Sequence, residues 1–347
     1  MPRTRRSFSS RVTLDMVAQQ AGVSPMTVSN VLNDKANVTK GKREAVMKAV
    51  RELGYQPNRA ARALASATSL RIGLLHRDMD SSLLGQLLLG TLRAANLNGA
   101  EIAIRSYDPD VEGSAYAEVQ TLVRSGVDGL ILPPPLSEDA DIVALKDSHH
   151  LPMIALAPGS ELGTIPSVGI DDEQASYELT RLIVNKGHTR IGFVRFVSSN
   201  GLSQTREAGY LRALKEAGLK REPELIWAGR PTYEQGLLAA EYFLGLAHPP
   251  TAIFCSSDDI AAAIVNYAHR QGLRIPGDLS VAGFDDAPIA SQTWPQLTTV
   301  RQAVSNIAEI ATDRLLKALK SRSELLPETQ WVAHQVIERQ SIADLRR

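Results

Sequence analysis

The chain has 347 residues, 44% hydrophobic and 22% charged, a length and balance suited to two or three compact soluble units. The single cysteine, Cys255, excludes an intrachain disulfide and reads as a small buried residue, with no sign of an oxidising compartment. Net charge is zero, yet residues 1–70 hold twelve Lys and Arg against four acids, so that segment carries +8 and the remainder −8. A basic head on an acidic body suits a head that meets a polyanion. Residues 1–13, MPRTRRSFSSRVT, begin with positive charge, but no apolar run follows. No later segment approaches the roughly 18 uninterrupted apolar residues of a membrane span, so a cytoplasmic protein with no membrane partner is expected.

Helical text comes first. Thr13 caps a helix carrying Leu14, Val17 and Ala18, and Gly22 supplies the positive φ of a tight turn. Ser24 caps a second helix with Pro25 at its first position, where a missing N–H costs nothing, and Met26, Val28, Val31 and Leu32 follow. Thr39 opens a third, with Ala45, Val46, Ala49, Val50 and Leu53 at three- and four-residue spacing, and Gly54 stops it. A helix-turn-helix needs a small residue where its helices touch, a turn-tolerant residue four positions on and a β-branched core residue six later. Ala18, Gly22 and Val28 supply them, which makes residues 1–54 a DNA-binding head. Residues 55–69, YQPNRAARALASATS, form a hinge and linker in which Asn58 caps about two helical turns. Helices below roughly 12 to 15 residues are marginal in water, so this one needs an outside partner.

From Leu70 the pattern changes to short β-rich runs alternating with helices: RIGLLH, EIAIRS, DGLILP and PMIALA, then RIGFVR, TAIFC and LSVAGF. Such alternation predicts parallel sheets of βαβ units, and the series starts twice, hence two lobes in residues 70–347. Lobe 1 is expected over about 70–168 and 301–326, lobe 2 over about 169–298 and 328–343, with crossings near SVGID, LTTVRQ and LPETQ. Ligands of open α/β sheets bind beyond the carboxyl ends of the strands. The loops there, SSDD (256–259), FDD (284–286) and VSSNGLSQTR (197–206), offer carboxylates that accept from paired hydroxyls and an arginine that donates. Catalysis finds little support. The first strand leads into HRDMDSS with no G-x-G-x-x-G, and the chain has neither a Walker A loop nor H-E-x-x-H. Asp285 and Asp286 are loop neighbours that point apart, His248 and His269 lack ligand spacing with them, and His149 and His150 read as a solvated loop. No catalytic residue, cofactor or metal is expected.

VTLDMVAQQAGVSPMTVSNVLN followed by GYQPNRAARAL, with KGHTRIGFV, TREAGYLRAL, SVAGFDDAPIA and PQLTTVRQ later on, resembles the lactose-repressor (LacI) family of bacterial regulators over nearly the whole chain. The resemblance implies an α/β core of two periplasmic-binding-protein-like lobes with parallel sheets, plus an N-terminal all-α helix-turn-helix domain and hinge helix. It places Ser24, Pro25, Met26, Thr27, Ser29 and Asn30 in the major groove of double-stranded operator DNA. Their chemistry agrees: Asn30 suits adenine, Met26 a thymine methyl, and the hydroxyls phosphates or base edges. Thr13, Asn33, Asn37 and Thr39 match positions near the DNA backbone, and each has an equally plain role as a cap or turn residue. The matching hinge residues are Tyr55, Asn58, Ala61 and Leu64, implying a helix that enters the minor groove as a pair from a homodimer. Leu64 is then a wedge between base steps, the alternative being a linker residue packed on the core. Fixing backbone costs about 1–2 kcal/mol per residue, so two hinges order only with a partner hinge and a kinked duplex.

For the effector, the resemblance puts Arg206 and Asp285 first and Asp258 and Gln302 behind them. Ser257 stands where asparagine is common, and Leu83, Leu84 and Pro231 stand where some members carry aromatics, which favours a sugar-like effector over a stacked purine. Trp294 is either a platform for a sugar ring or a rim residue. Asp258, Asp259 and Asp286 have a second reading as caps of the helices that follow, preferred for Asp286. The implied function is a repressor of carbohydrate-utilisation genes controlled by that effector, with the sign of control open. The rivals are a transporter's solute-binding protein, opposed by the missing signal peptide and the DNA-reading head, and a sugar-acting enzyme. The terminal ERQSIADLRR carries no long heptad repeat, which speaks for a dimer over a tetramer.

Overall fold

The computed structural model describes residues 12–32, 38–53, 55, 69–77, 83–158, 161–196 and 202–346. The chain forms two compact units, Met1–Ser69 and Leu70–Arg347. In the first, α1 (Leu14–Ala21), α2 (Pro25–Leu32) and α3 (Lys40–Leu53) enclose a core of Val17, Ala18, Val28, Val31, Val46, Ala49 and Tyr55. Thr13 Oγ1 accepts from Met16 N, satisfying one N–H left open at the start of α1. Gly22 takes φ +63° and turns the chain toward α2. Ser24 Oγ accepts from Thr27 N at 3.2 Å and lies 2.9 Å from Thr27 Oγ1. In so small a core the cap matters: Ser24→Ala is expected to lower the head's stability by about 1 kcal/mol, and Ser24→Asp to retain most of it. Thermal unfolding of the chain with and without each change checks this.

In the second unit, lobe 1 begins with β1 (Arg71–Arg77), β2 (Glu101–Tyr107), β3 (Gly129–Leu132), β4 (Met153–Leu156) and β5 (Ser167–Gly169), with α4 (Leu84–Asn98), α5 (Ser114–Arg124) and α6 (Ala140–His149) between them. Lobe 2 follows with β6 (Ile191–Phe196), β7 (Ile226–Gly229), β8 (Ala252–Cys255) and β9 (Ser280–Ala282). Its helices are α7 (Asp172–Asn185), α8 (Leu202–Glu216), α9 (Tyr233–Leu244), α10 (Asp258–Arg270) and α11 (Pro288–Gln292). The chain then returns through β10 (Thr299–Arg301) to α12 (Val304–Ser321) on lobe 1, and ends with β11 (Thr329–Trp331) and β12 (Gln335–Ile337). Among the described residues, the lobe 1 sheet has strand order β11-β5-β4-β3-β1-β2 and the lobe 2 sheet β7-β6-β8-β9, all parallel. β10 and β12 pair antiparallel, with Val300 opposite Val336.

Helices cover both faces, so the central strands are apolar throughout: every residue of β3 and β4 is buried. β2 lies at the sheet edge and exposes Glu101 and Arg105. Close helix contacts depend on glycine, and two of them bear on the cleft. A Cβ on Gly90 of α4 would meet the Ser305 carbonyl of α12, and one on Gly209 of α8 would meet the Glu173 carbonyl of α7. The second contact fixes the helix that carries Arg206. The largest apolar core is continuous across the lobes, joining Ile72 and Ile131 to Phe193 and Phe254 by way of Ile170 and Val300 at the crossings. Cys255 is buried in β8 with a free thiol.

Two expectations are corrected here. β11 pairs with β5, Gln330 opposite Val168, so lobe 1 extends to Trp331 and the third crossing falls beyond it rather than near 327. The open edge of β5 offers backbone groups that Thr329–Trp331 satisfies. His149 and His150 are not a loop: His149 is the last residue of α6, and His150 caps it at φ +49°.

Candidate functional site

In the head, α2 turns Val28 and Val31 inward and presents the opposite face, where Ser24, Pro25 and Met26 are exposed and Thr27, Ser29 and Asn30 half-buried. Met26 is 71% exposed, an apolar side chain with no core role. Thr13 and Thr39 are exposed at the starts of α1 and α3. Tyr55 departs from expectation: it is 9% exposed and belongs to the head's core, which occupies the ring that the hinge reading would turn to DNA. Asn33, Asn37, Asn58, Ala61 and Leu64 lie outside the described residues.

In the core unit, the carboxyl ends of both parallel sheets open on one cavity of about 270 Å³ between the lobes. Leu83, Leu84, Arg206, Pro231, Ser257, Asp285 and Gln302 all line it. Arg206, on the first turns of α8, is 2% exposed. Its Nε donates to Asp172 Oδ1 at 2.7 Å, its Nη1 donates to the Ser256 carbonyl at 2.6 Å, and its guanidinium lies 3.7 Å over the Phe284 ring. Nη1 is also 3.6 Å from Asp285 Oδ1, which accepts from Gln302 Nε2. Asp285 holds φ +111°, a conformation that costs an L residue about 1–3 kcal/mol and is kept by the bond from its N–H to the Val300 carbonyl at 2.8 Å. Burial pushes its carboxyl up to about 7, against the opposing pull of Arg206 and the Gln302 hydrogen bond. Burial also raises Asp172, again opposed by Arg206.

Two expected ligand residues are elsewhere. Asp258 is fully buried and does not line the cavity; its carboxylate accepts from Ala287 N at 2.7 Å and from Thr299 Oγ1 at 2.6 Å. It ties the loop after β9 to β10, and Gly283 packs so closely on Oδ1 that a Cβ has no room. Burial, reinforced by the charge of Asp285, holds Asp258 well above the usual carboxylate range. The cavity wall receives Asp259 in its place. Trp294, beyond α11, is 84% exposed and away from the cavity. Ser257, not an aspartate, caps α10 by accepting from Ile260 N. Asp286 pairs with Arg301 and Arg339, both at 2.6 Å, and α11 starts after Ala287 with no side-chain cap.

The remaining walls were not foreseen. Leu75, Leu87, Leu136, Leu156 and Pro133–Pro135 make the lobe 1 side largely apolar, with His76, Arg77 and Tyr107 at the ends of β1 and β2. Asp172, which holds Arg206, follows directly on the SVGID segment and carried no signal of its own. Beside the cleft, Arg230 of lobe 2 reaches Asp110 of lobe 1 at 3.1 Å, with side chains 52% and 66% exposed.

A helix-turn-helix head followed by two parallel α/β lobes around a cleft defines a class of bacterial transcription regulators. The description "Bacterial regulatory proteins, lacI family" matches residues 13–58, and "Periplasmic binding protein-like domain" matches 180–342. The transcriptional regulator RegA of Clostridium saccharobutylicum is 33% identical over 94% of this chain and 97% of its own. A lac repressor dimer bound to operator and the anti-inducer ONPF shares 26% identity and a TM-score of 0.78 over 96% of this chain and 100% of that one. A complex of the regulator CelR with cellobiose shares 26% identity and a TM-score of 0.72, covering 95% of this chain and 100% of that one. The chain belongs to the lacI family and is a DNA-binding transcription regulator, not an enzyme. No described helix is long and apolar enough to cross a membrane.

Proposed function

We propose that the chain is a cytoplasmic homodimeric repressor of carbohydrate-utilisation genes, released from its operator when a small sugar-like effector closes the cleft. The observation that carries the effector half is the buried cluster of Arg206, Asp285 and Gln302, donors and acceptors meeting in one cavity wall. The CelR–cellobiose likeness and the lack of an aromatic pair at Leu83, Leu84 and Pro231 support a sugar over a purine. The DNA half rests on the exposed face of α2, with Asn30 and Met26 as base readers and Ser24, Pro25, Thr27 and Ser29 beside them. Thr13, Asn33, Asn37 and Thr39 would contact the backbone, and the hinge residues Asn58, Ala61 and Leu64 the minor groove. Cleft closure and hinge order then share a coupling free energy of about 1–3 kcal/mol.

Selection of genomic fragments bound by the full chain, with and without neutral sugars and purine bases, tests this. A near-palindromic site is expected, lost with a sugar present. Asn30→Ala is expected to weaken that site by about 1–3 kcal/mol with little change in non-specific binding. Failure to enrich a palindrome, with no effect of Asn30→Ala or Leu64→Ala, overturns the repressor reading. Release by a purine and by no sugar overturns the sugar assignment alone.

A further inference from the structure

The two ends of the cavity differ in charge. On lobe 2, the positive charge of Arg206 is matched by Asp172 and Asp285, so that wall suits neutral hydroxyls. On lobe 1, Arg77 and Tyr107 stand side by side as the last residues of β1 and β2, partners in the strand register. Both line the cavity. Tyr107 is 6% exposed and its hydroxyl has no hydrogen-bond partner; Nε of Arg77 is likewise buried and unpaired. Among the described residues, no carboxylate is paired with Arg77. Asp139, whose charge reaches Tyr107, has its carboxylate engaged by Asp141 N and Ile142 N at the start of α6.

Buried polar groups in folded proteins are almost always paired, so the unpaired donors of two strand-register neighbours that both line a ligand cavity point to a partner that arrives from outside. Burial pushes the Tyr107 phenol up to about 12, so near neutral pH it keeps its proton to donate. A guanidinium with no carboxylate paired to it among the described residues, beside a second donor, selects an acceptor-rich and negatively charged group. Resting on the reading of this cleft as an effector site, we infer that the effector is anionic: a small polyhydroxylated molecule bearing a carboxylate or a phosphate ester. Its charged group meets Arg77 and Tyr107, and its hydroxyls meet Asp285, Gln302 and Arg206. The volume of about 270 Å³ lies at the small end of ligand sites, typically ~300–1,000 Å³, and admits one ring or a short chain.

The test is calorimetric titration of the full chain with matched sets, each a neutral pentose or hexose, its aldonate and uronate, and its terminal phosphate ester, with inorganic phosphate alongside. At least one anionic member is expected to bind tenfold or more tightly than its neutral parent. That ratio should fall toward one in Arg77→Gln and shrink in Tyr107→Phe. Preference for the carboxylates or for the phosphate esters separates the two sources of charge. A neutral sugar bound as tightly as its acid and phosphate overturns the inference and leaves the sugar reading standing. An anion preference that survives in Arg77→Gln assigns the charge to other residues and overturns it too. Binding by no member of any set overturns both the inference and the sugar reading.

Discussion

Replacing Arg206 by alanine is expected to destabilise the core unit by about 3–5 kcal/mol and to abolish the effector response. The side chain is 2% exposed and holds two buried carboxyl groups, a carbonyl and an aromatic face together. Without it, Asp172 and Asp285 are left as uncompensated buried acids, and they respond by taking up protons. The cost therefore depends on pH: it is largest in alkaline solution, where both acids would have to ionise, and smaller in acid. Urea unfolding of the wild type and Arg206→Ala at pH 6 and pH 8 reads this directly. Arg206→Lys keeps a positive charge but loses the planar reach from Asp172 to the Ser256 carbonyl, and is expected to fall between the two. An unfolding midpoint unchanged in Arg206→Ala would remove the cluster from its structural role.

Effector binding is expected to strengthen as pH rises and to level off above about 7. The carboxyl of Asp285 titrates near 7 in the folded chain, and only its ionised form is the full acceptor that a hydroxylated ligand needs. If binding requires that form, affinity rises about 20-fold between pH 5.5 and 7.5. Stability without ligand moves the other way. The folded chain keeps this proton to about pH 7, while the unfolded chain releases it near the ordinary 3.8. The contribution of Asp285 to stability is thus complete below about pH 4 and declines as pH rises toward 7. Asp285→Asn should flatten both trends. Calorimetric titration and thermal unfolding across that range check them, and an effector affinity independent of pH in the wild type would contradict the role given to Asp285.

The elements that were legible in the sequence are those whose causes are local. Thr13, Gly22 and Ser24 act within three or four residues of themselves, and the spacing of Ala18 to Val28 states which helix faces touch. The doubly started strand series gave the two parallel sheets for the same reason. β7, β11 and β12 escaped because they are short and partly exposed and lack the continuous buried apolar run that marks β3, β4 and β8; Thr329–Trp331 is a strand because β5 presents an edge to it. The cavity was harder still. At the start of α10 one residue separates Asp258, turned to Thr299 and Ala287, from Asp259 on the cavity wall, and a step of one residue rotates a helical side chain by about 100°. Arg77 and Tyr107 stand one residue beyond the expected strands RIGLLH and EIAIRS, with no motif to mark them. Only the register that sets them side by side at the mouth of the sheet makes them a pair.

The exposed contact between Arg230 and Asp110 bears on how the lobes decide between open and closed. A solvent-exposed ion pair contributes about 0–1 kcal/mol and weakens with salt, so this tie does little to hold an empty cleft shut. The other connection between the lobes is different in kind, a continuous apolar core through Ile170 and Val300. With so weak a tie at the rim, closing the cleft is left to what sits inside it, and raised ionic strength is expected to shift an empty cleft toward the open form.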